Sequence, residues 1–280
     1  MSVLVHLIVM LGMLVVIPVG LRLVGDPHLD PVRRLWPFAG ASGGVALWLP
    51  RGPVAAALAA GYAAATMLLA VQAPLRLARS RSLAPAEIAT LTALVTPSVA
   101  GLALVCERWG HPLFGFGLGI LALTVPHFHF AGFTAALVAG LCCRAGAGPL
   151  GRLAALSVPL GTLLVLAGYF IDDWAELAGA VVLTAGMWAV SLLTWRDIRT
   201  ADRDPFTRRL LGTASATLVV TMLLALSWAL GEATGIAHPT LAWMAATHGI
   251  GNALGFALCA VLAWRRMQET TTQETKETVG

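Results

Sequence analysis

The sequence predicts an all-α protein, a polytopic transmembrane helical bundle of about nine spans. Of its 280 residues, 58% are hydrophobic and only 11% are charged, whereas a soluble domain carries about 25% charged residues. The few charges fall in short clusters between long apolar runs. A chain segment in lipid must satisfy its own backbone hydrogen bonds, so apolar runs of this length are expected to form helices that cross a bilayer.

Nine apolar runs mark the expected spans. The second is short for a hydrocarbon core, which needs about 20 residues, so we expect a tilted, partial or re-entrant helix there. The fifth is long, and we expect a kink or a break at Pro126, which cannot donate a backbone hydrogen bond. The runs fall near 2–24, 36–50, 53–74, 84–106, 116–143, 152–171, 176–195, 208–230 and 239–264.

The junctions between the runs predict the orientation. Arginines follow the first, third, fifth, seventh and ninth runs, and acidic residues dominate the junctions between them. Because basic loops stay in the cytoplasm, this alternation predicts an N-terminus outside and a C-terminus in the cytoplasm. The first run lacks the basic start and cleavage site of a signal peptide and is expected to be retained. We therefore expect one membrane domain over 1–266 and a polar, disordered cytoplasmic tail over 267–280.

The sequence lacks the motifs of familiar soluble chemistry. It contains no Walker loop, no GxGxxG in a dinucleotide-binding pattern and no GxSxG paired with a histidine. Its four cysteines do not show the CxxC spacing of a zinc or redox site. The net charge of +4 indicates little about nucleic acid, because the arginines lie at the ends of spans. We expect no metal, no cofactor and no nucleic-acid partner.

The stretch LTVPHFHFAGF at 123–133 places two histidines inside an apolar run. Ionisable side chains within a bilayer are functional candidates, because their burial has to be offset by partners or by a task. Residues two apart on a helix point about 200° from one another. We therefore expect one of His127 and His129 to line a cavity and the other to hydrogen-bond a neighbouring helix. The alternative is that both histidines only bridge packed helices.

The stretch THGIGNALGF at 247–256 is the second polar element. His248 and Asn252 are four residues apart and share a helix face. Gly251 and Gly255 form a GxxxG pair, which lets another helix approach closely. This pattern predicts an interior face that lies beside the HFHF segment. The alternative is that its polar groups only hold packed helices together.

Acidic residues collect at the junctions predicted to lie outside. The alternative for each of these acidic residues is a place at a solvated helix end, where carboxylates are common. Glu107 and Glu232 close apolar runs, so we expect them to turn inward, where a desolvated carboxyl group can serve as a proton donor. Tyr169 and Trp228 precede acidic residues by about one helical turn. The full acidic set is Glu107, Asp172, Asp173, Glu176 and Glu232.

The segments HFHFAGF and HGIGNALGF together resemble the YndJ-like family of bacterial membrane proteins. That family carries an HFHYAGF-type element, a later HG-x-x-NA-x-GF element and a glutamate in an AER-like stretch, which here reads VCERWG with Glu107. Phe130 stands where the family's first element has tyrosine. The absence of the tyrosine hydroxyl makes this surface more apolar, as a polyene substrate would favour. Members from actinobacterial gene clusters are membrane terpene cyclases that act on prenylated indoles or on farnesylated, tryptophan-containing diketopiperazines, as in the drimentine and xiamycin pathways.

The resemblance implies a class II-type cyclisation in which an acid protonates a terminal alkene or epoxide without loss of diphosphate. It implies a lipophilic prenylated substrate, surrounding membrane lipids, no obligate protein partner and a place in the bacterial cytoplasmic membrane. Glu107 or Glu232 would be the proton donor, and aromatic rings would stabilise the cations. The implied catalytic set is Glu107, His127, His129, Asp172, Asp173, Glu232, His248 and Asn252. The implied substrate-lining set is Phe128, Phe130, Phe133, Tyr169, Trp228 and Trp243.

Two other functions stay open at the level of sequence. A proton-coupled transporter or sensor would use the same histidines and carboxyl groups as a relay. A b-type haem or metal protein would need two histidines that face one another across helices, such as His127 and His248.

Overall fold

The computed structural model describes residues 3–146 and 148–279, and within them all long elements are helices, as predicted. An isolated bridge between Leu113 and Phe116 is the extended pairing found there. We number the long helices in chain order. They are α1 (Val3–Leu23), α2 (Asp30–Trp48), α3 (Pro53–Ser80), α4 (Pro85–Trp109), α5 (Leu118–Ala145), α6 (Pro149–Ile171), α7 (Asp173–Ile198), α8 (Pro205–Thr234) and α9 (241–279).

Eight of these described helices are long and apolar enough to cross a membrane, and α2 is the exception. It corresponds to the short second run, but it begins at Asp30 rather than near residue 36 and includes the charged start of the helix. Its side chains contact α1 over most of the length of α1. Arg33 Nε donates to the carbonyl of Leu21 at 3.1 Å, and Trp36 Nε1 donates to the carbonyl of Met13 at 2.8 Å. The α2 helix therefore runs antiparallel along α1.

The α5 helix lies at the centre of the bundle and is not broken at Pro126, contrary to one expectation. Its half before His127 packs mainly on α1, α4 and the start of α9, and its half after Thr134 packs mainly on α4, α6 and α7. Between the halves, Phe128–Thr134 forms a π-helical turn. A wider turn just after the proline keeps the helix continuous even though Pro126 donates no hydrogen bond.

Arginines and their partners collect at one end of the bundle, which we call the inner end. The Arg76 guanidinium donates to Asp26 at 3.0 Å and to Glu87 at 2.6 and 2.9 Å, which ties the α1–α2 junction to α3 and α4. Burial alone would raise the pKa of Asp26, but the His28 N–H and the Arg76 guanidinium outweigh burial and hold this pKa below its usual value. Arg266 joins α9 to the start of α8 at the same end.

The last helix continues beyond the apolar run and ends at Val279. Residue 266 is therefore not the end of the helix, although hydropathy changes there. The division into a membrane domain over 1–266 and a disordered tail over 267–280 stays a prediction.

Candidate functional site

Three π-helical segments meet at the centre of the bundle. They are Gly12–Val16 in α1, Phe128–Thr134 in α5 and Gly251–Leu258 in α9, and each packs on the other two. A further π-helical turn, Ala245–Gly249, lies just before the last of them. Because π-helical turns occur frequently at functional sites, this centre is a candidate functional site. It contains both sequence elements that stand out.

His129 of α5 makes a buried polar contact with α3 and packs against α1. A hydrogen bond of 2.8 Å joins its Nε2 to the hydroxyl of Tyr62, and both residues are fully buried. The Tyr62 ring meets the edge of Trp36. The other nitrogen, Nδ1, makes no hydrogen bond within the described residues and faces Gly12, where an added Cβ would lie 2.3 Å from it. His129 therefore bridges helices rather than lining an open space.

His248 and Asn252 form a hydrogen-bonded group with Thr221 of α8. The Asn252 amide Nδ2 donates to His248 Nε2 at 2.9 Å, so the imidazole proton lies on Nδ1, which donates to the carbonyl of Thr221 at 2.8 Å. The Thr221 hydroxyl donates to Asn252 Oδ1 at 2.8 Å. The two residues share an interior face, as predicted from their spacing. The predicted close approach is also present, because a Cβ at Gly255 would lie 2.4 Å from Thr217 of α8.

His127 faces a different neighbour from His129, as the spacing of the two residues predicted. It is only partly buried and lies close enough to His248 for the two imidazoles to interact electrostatically. It makes no hydrogen bond within the part of the chain that the structure describes, and its ring contacts the edge of Phe128. His127 thus leaves its ring nitrogens without hydrogen bonds beside the His248 group.

Glu107 is buried as expected, but its partners are arginines and not imidazoles. Oε1 accepts hydrogen bonds from Arg51 at 2.8 and 3.0 Å and from Arg108 at 2.7 Å, while Oε2 pairs with Arg108 Nε. Arg108 also donates to the carbonyls of Leu47 and Leu49 at the end of α2. Two guanidinium groups hold this carboxylate in place, so Glu107 fastens α4 to the α2–α3 turn. Its expected role as proton donor beside histidines does not fit this geometry.

Glu232 does not turn inward, which corrects the second expectation about the acidic set. Its side chain is 38% exposed, and its Oε1 lies 3.1 Å from His238 Nε2. The loop after α8 folds His238 back over Gly231, where a Cβ would lie 2.3 Å from the His238 side chain. Trp228 stacks edge-on against the same imidazole. The pair closes the outer end of α8, opposite the inner end defined above.

A second acidic group lies where α6 ends, α7 begins and α8 ends. Glu176 is partly buried, and the charged groups that act on it are the carboxyl groups of Asp173 and Glu232. Tyr169 of α6 lies close enough to interact with Glu176, and its ring meets the edge of Phe116. Asp172 caps α7 by accepting a hydrogen bond from the Ala175 N–H at 2.8 Å. Asp172 is therefore a structural residue of this end.

The aromatic residues expected to line a substrate cavity are distributed between two environments. Phe128, Phe130 and Phe133 are buried in the core, and Phe133 fills the space beside Gly20 of α1. Trp243 is 47% exposed at the start of α9. Two rings of the expected set lie near acidic residues. Tyr169 lies near Glu176, and Trp228 contacts His238, which pairs with Glu232.

The described residues do not enclose the carboxyl groups and imidazoles in one chamber, contrary to the expected site. Two cavities, of about 280 and 230 Å³, lie elsewhere, one between α7 and α8 and one between the start of α8 and α9. No group of three His, Cys, Asp or Glu side chains in the described residues is placed to bind a metal ion. Both ring nitrogens of His248 are already hydrogen-bonded, so haem ligation by His127 and His248 does not fit this arrangement.

Sequence reasoning missed several partners of these groups. Tyr62, Thr221 and Arg51 each complete a contact from a helix or turn far away in sequence, whereas His238 lies in the loop just after its partner Glu232. Tyr62 carried a usable signal, because it is one of two tyrosines in the chain and lies in the middle of an apolar run.

The fold and the polar centre together define a polytopic helical membrane protein. His129 lies in one of three contacting π-helical segments, and His248 lies in the π-helical turn just before another. The sequence profile of the YndJ-like protein family matches residues 7–256. This match covers most of the chain, which therefore belongs to the YndJ-like family. Comparison with curated proteins and with solved structures finds no match.

Proposed function

We propose that this protein is an integral-membrane, class II-type terpene cyclase in which Glu176 is the proton donor. The observation that carries the proposal is the position of Glu176, partly buried at the end of an apolar bundle beside two other carboxyl groups. Carboxyl groups that share a site compete for ionisation, so such a cluster holds protons that it can transfer. Glu107 and Glu232 are less suited, because arginines and His238 respectively occupy them.

The proposed reaction uses the groups around Glu176 in sequence. Glu176 transfers its proton to the terminal alkene of a prenyl or farnesyl chain, or opens an epoxide there, and the resulting cation is attacked by the next double bond of the same chain. The faces of Tyr169 and Trp228 stabilise the cation. Tyr169 is 45% exposed, and such an attraction is worth about 0.5–1 kcal/mol at an exposed ring and about 2 kcal/mol where water is excluded. The Glu176 carboxylate, which has given up its proton, then accepts the final proton from the cyclised cation. The product is an isomer of an alkene substrate.

Helix packing supports a route for a lipophilic chain between these groups. The half of α5 before His127 packs mainly on α1, α4 and α9, and its packing on α6 and α7 comes mainly from the half after Thr134. Leu123 of α5, Leu166 of α6 and Leu177 of α7 are correspondingly only partly buried. An isoprenoid tail fits between such apolar surfaces, while an indole or diketopiperazine head group remains at the membrane surface.

The proposal includes the membrane topology. The α2 helix follows α1 along its length and is counted as a ninth span, with the N-terminus outside and the C-terminus in the cytoplasm of a bacterial cell. The inner end, with its arginines, then faces the cytoplasm, and Glu176 lies toward the outer leaflet. A cysteine introduced at Gly115, in the α4–α5 loop, should react with a membrane-impermeant maleimide added to intact cells. One introduced at Ala201, in the α7–α8 loop, should stay unlabelled until the cells are broken.

Product analysis tests the reaction itself. Purified protein in detergent, incubated with a farnesylated indole or a farnesylated tryptophan-containing diketopiperazine, should yield a cyclised isomer of unchanged mass. Glu176→Gln keeps the shape of the side chain and should abolish the product. Asp197→Asn removes an exposed carboxylate at the opposite end of the same helix and should leave the activity unchanged. Failure of the unsubstituted protein to convert any of these polyenes would count against the proposal.

A second candidate is a proton-coupled transporter or sensor. The observation in its favour is that His127 of α5 lies near the hydrogen-bonded group of His248, Asn252 and Thr221, so that polar groups of three helices are neighbours. Proton flux in liposomes that depends on a lipophilic solute, with no chemical change in that solute, would favour this function over cyclisation.

A further inference from the structure

A groove on the side of the bundle lies between α7 and α8, near the inner end. It has a volume of about 280 Å³, and its lining includes Trp188 and Trp195 of α7 and Ala216 and Val219 of α8. The two tryptophan side chains are 38% and 53% exposed. None of these residues belongs to the site around Glu176 and the histidines.

Two serines determine the depth of the groove. Ser191 of α7 and Ser215 of α8 each donate a hydrogen bond to the backbone carbonyl of the other, at 2.9 and 2.8 Å. Small hydroxyl side chains that bond across helices bring the two backbones close together. Ser191 and Ser215 therefore form the bottom of the groove, and the larger Trp188 and Trp195 side chains form one of its sides. The result is an apolar channel on the outer surface of the bundle.

A cationic side chain lies at the inner end of this channel. The Arg199 guanidinium stands over the Trp195 ring, 4.6 Å from its centroid. It also lies over Gly212, about one turn before Ala216, and its Nε donates to the carbonyl of Arg208 at 2.9 Å. The two terminal amino groups of Arg199 make no hydrogen bond within the described residues, so they are free to donate to an anion.

We propose that this groove binds an anionic phospholipid, with an acyl chain along Trp188 and Trp195 and the phosphate hydrogen-bonded to Arg199. An apolar channel that ends at a free guanidinium matches the chemistry of such a lipid, and basic residues at a membrane surface attract anionic head groups. A second copy of the chain fits less well. A symmetric dimer through this groove would bring Arg199, Arg203 and Arg209 of both copies together.

Fluorescence quenching by brominated lipids tests this site. The full-length protein in detergent micelles is titrated with phosphatidylglycerol brominated on its acyl chain and, separately, with phosphatidylcholine brominated in the same way. Because Trp195 lines the groove, binding there is measured as the difference in quenching between the unsubstituted protein and Trp195→Leu. This difference should reach half of its maximum at about a fivefold lower mole fraction of phosphatidylglycerol than of phosphatidylcholine. A factor of about five is the effect expected for one arginine at a membrane surface.

Two charge variants separate the groove from a general effect of positive charge. Arg199→Gln should remove the preference for phosphatidylglycerol, and Arg34→Gln, an exposed arginine of α2 at the same end, should retain it. If the Arg199 variant does not fold, Ala216→Trp fills the groove and should abolish the Trp195-dependent quenching by both lipids. Equal quenching by both lipids in the unsubstituted protein overturns the proposal. So does an unchanged preference in Arg199→Gln, or a dimer that Trp195→Leu dissociates.

Discussion

The contact between Gly12 and His129 makes the sharpest structural prediction. A Cβ added at Gly12 would lie 2.3 Å from His129 Nδ1, 2.8 Å from its Cγ and 3.0 Å from its Cβ. All three atoms belong to a fully buried side chain whose other ring nitrogen is bonded to Tyr62. In Gly12→Ala, either the imidazole moves and loses the Tyr62 hydrogen bond, or α1 and α5 separate.

The magnitude follows from these two costs. Overpacking a filled core costs about 1–3 kcal/mol, and leaving a buried hydroxyl and a buried imidazole unpaired costs about 1–3 kcal/mol. We therefore expect Gly12→Ala to lower the free energy of unfolding by about 2–6 kcal/mol. Denaturant-induced unfolding of the protein in mixed micelles, followed by tryptophan fluorescence, measures it.

Two further variants make this prediction specific. Gly119→Ala, at an α5 glycine with no atom within 4 Å of the added Cβ, should change the stability little. His129→Ala removes the obstacle, so the double variant with Gly12→Ala should be more stable than the sum of the two single effects by at least about 1 kcal/mol. A Gly12→Ala protein as stable as the unsubstituted one, or additive effects in the double variant, would refute the packing described for this centre.

Three other predictions concern the polar contacts. Glu107→Gln leaves the buried Arg108 guanidinium without its carboxylate, and we expect a loss of about 3–5 kcal/mol in the free energy of unfolding; a loss below 1 kcal/mol would contradict the ion-pair role. Because the folded-state pKa of Asp26 lies below its unfolded value, its contribution is complete above the unfolded pKa and is lost as the pH falls through the folded one. The acid-induced drop in melting temperature should therefore be smaller in Asp26→Asn. Asn252→Leu should free His248 Nε2 and cost about 1–3 kcal/mol, and the imidazole nitrogen resonances of His248 should shift; unchanged resonances would argue against this hydrogen bond.

Short-range patterns in the sequence were sufficient for the helices and for which residues share a face. Hydropathy indicates the apolar helices, and the four-residue spacing of His248 and Asn252 places both on an interior face. The two-residue spacing of His127 and His129 places them against different neighbours. These inferences succeed because helix geometry alone determines them.

Contacts between distant helices could not be predicted in the same way. Glu107 and Glu232 look alike in the sequence, since each closes an apolar run, yet one is fully buried between arginines and the other is partly exposed beside His238. Arg51 is 56 residues from Glu107, and Tyr62 is 67 residues from His129. Nothing in local composition encodes such pairings. The adjacent Arg108 was the one local sign that Glu107 would be ion-paired.

Cyclisation in deuterium oxide tests the proposed acid-initiated mechanism most directly. The Glu176 carboxyl group exchanges its proton with solvent before it transfers it to the terminal alkene. A farnesylated indole or diketopiperazine should therefore give a cyclised product that carries one deuterium, on the former CH carbon of the terminal double bond, because its protonation leaves a tertiary cation on the dimethyl carbon. The Glu176→Gln variant should give no product. A cyclised product without deuterium, or full deuterated product from the Glu176 variant, would contradict the mechanism.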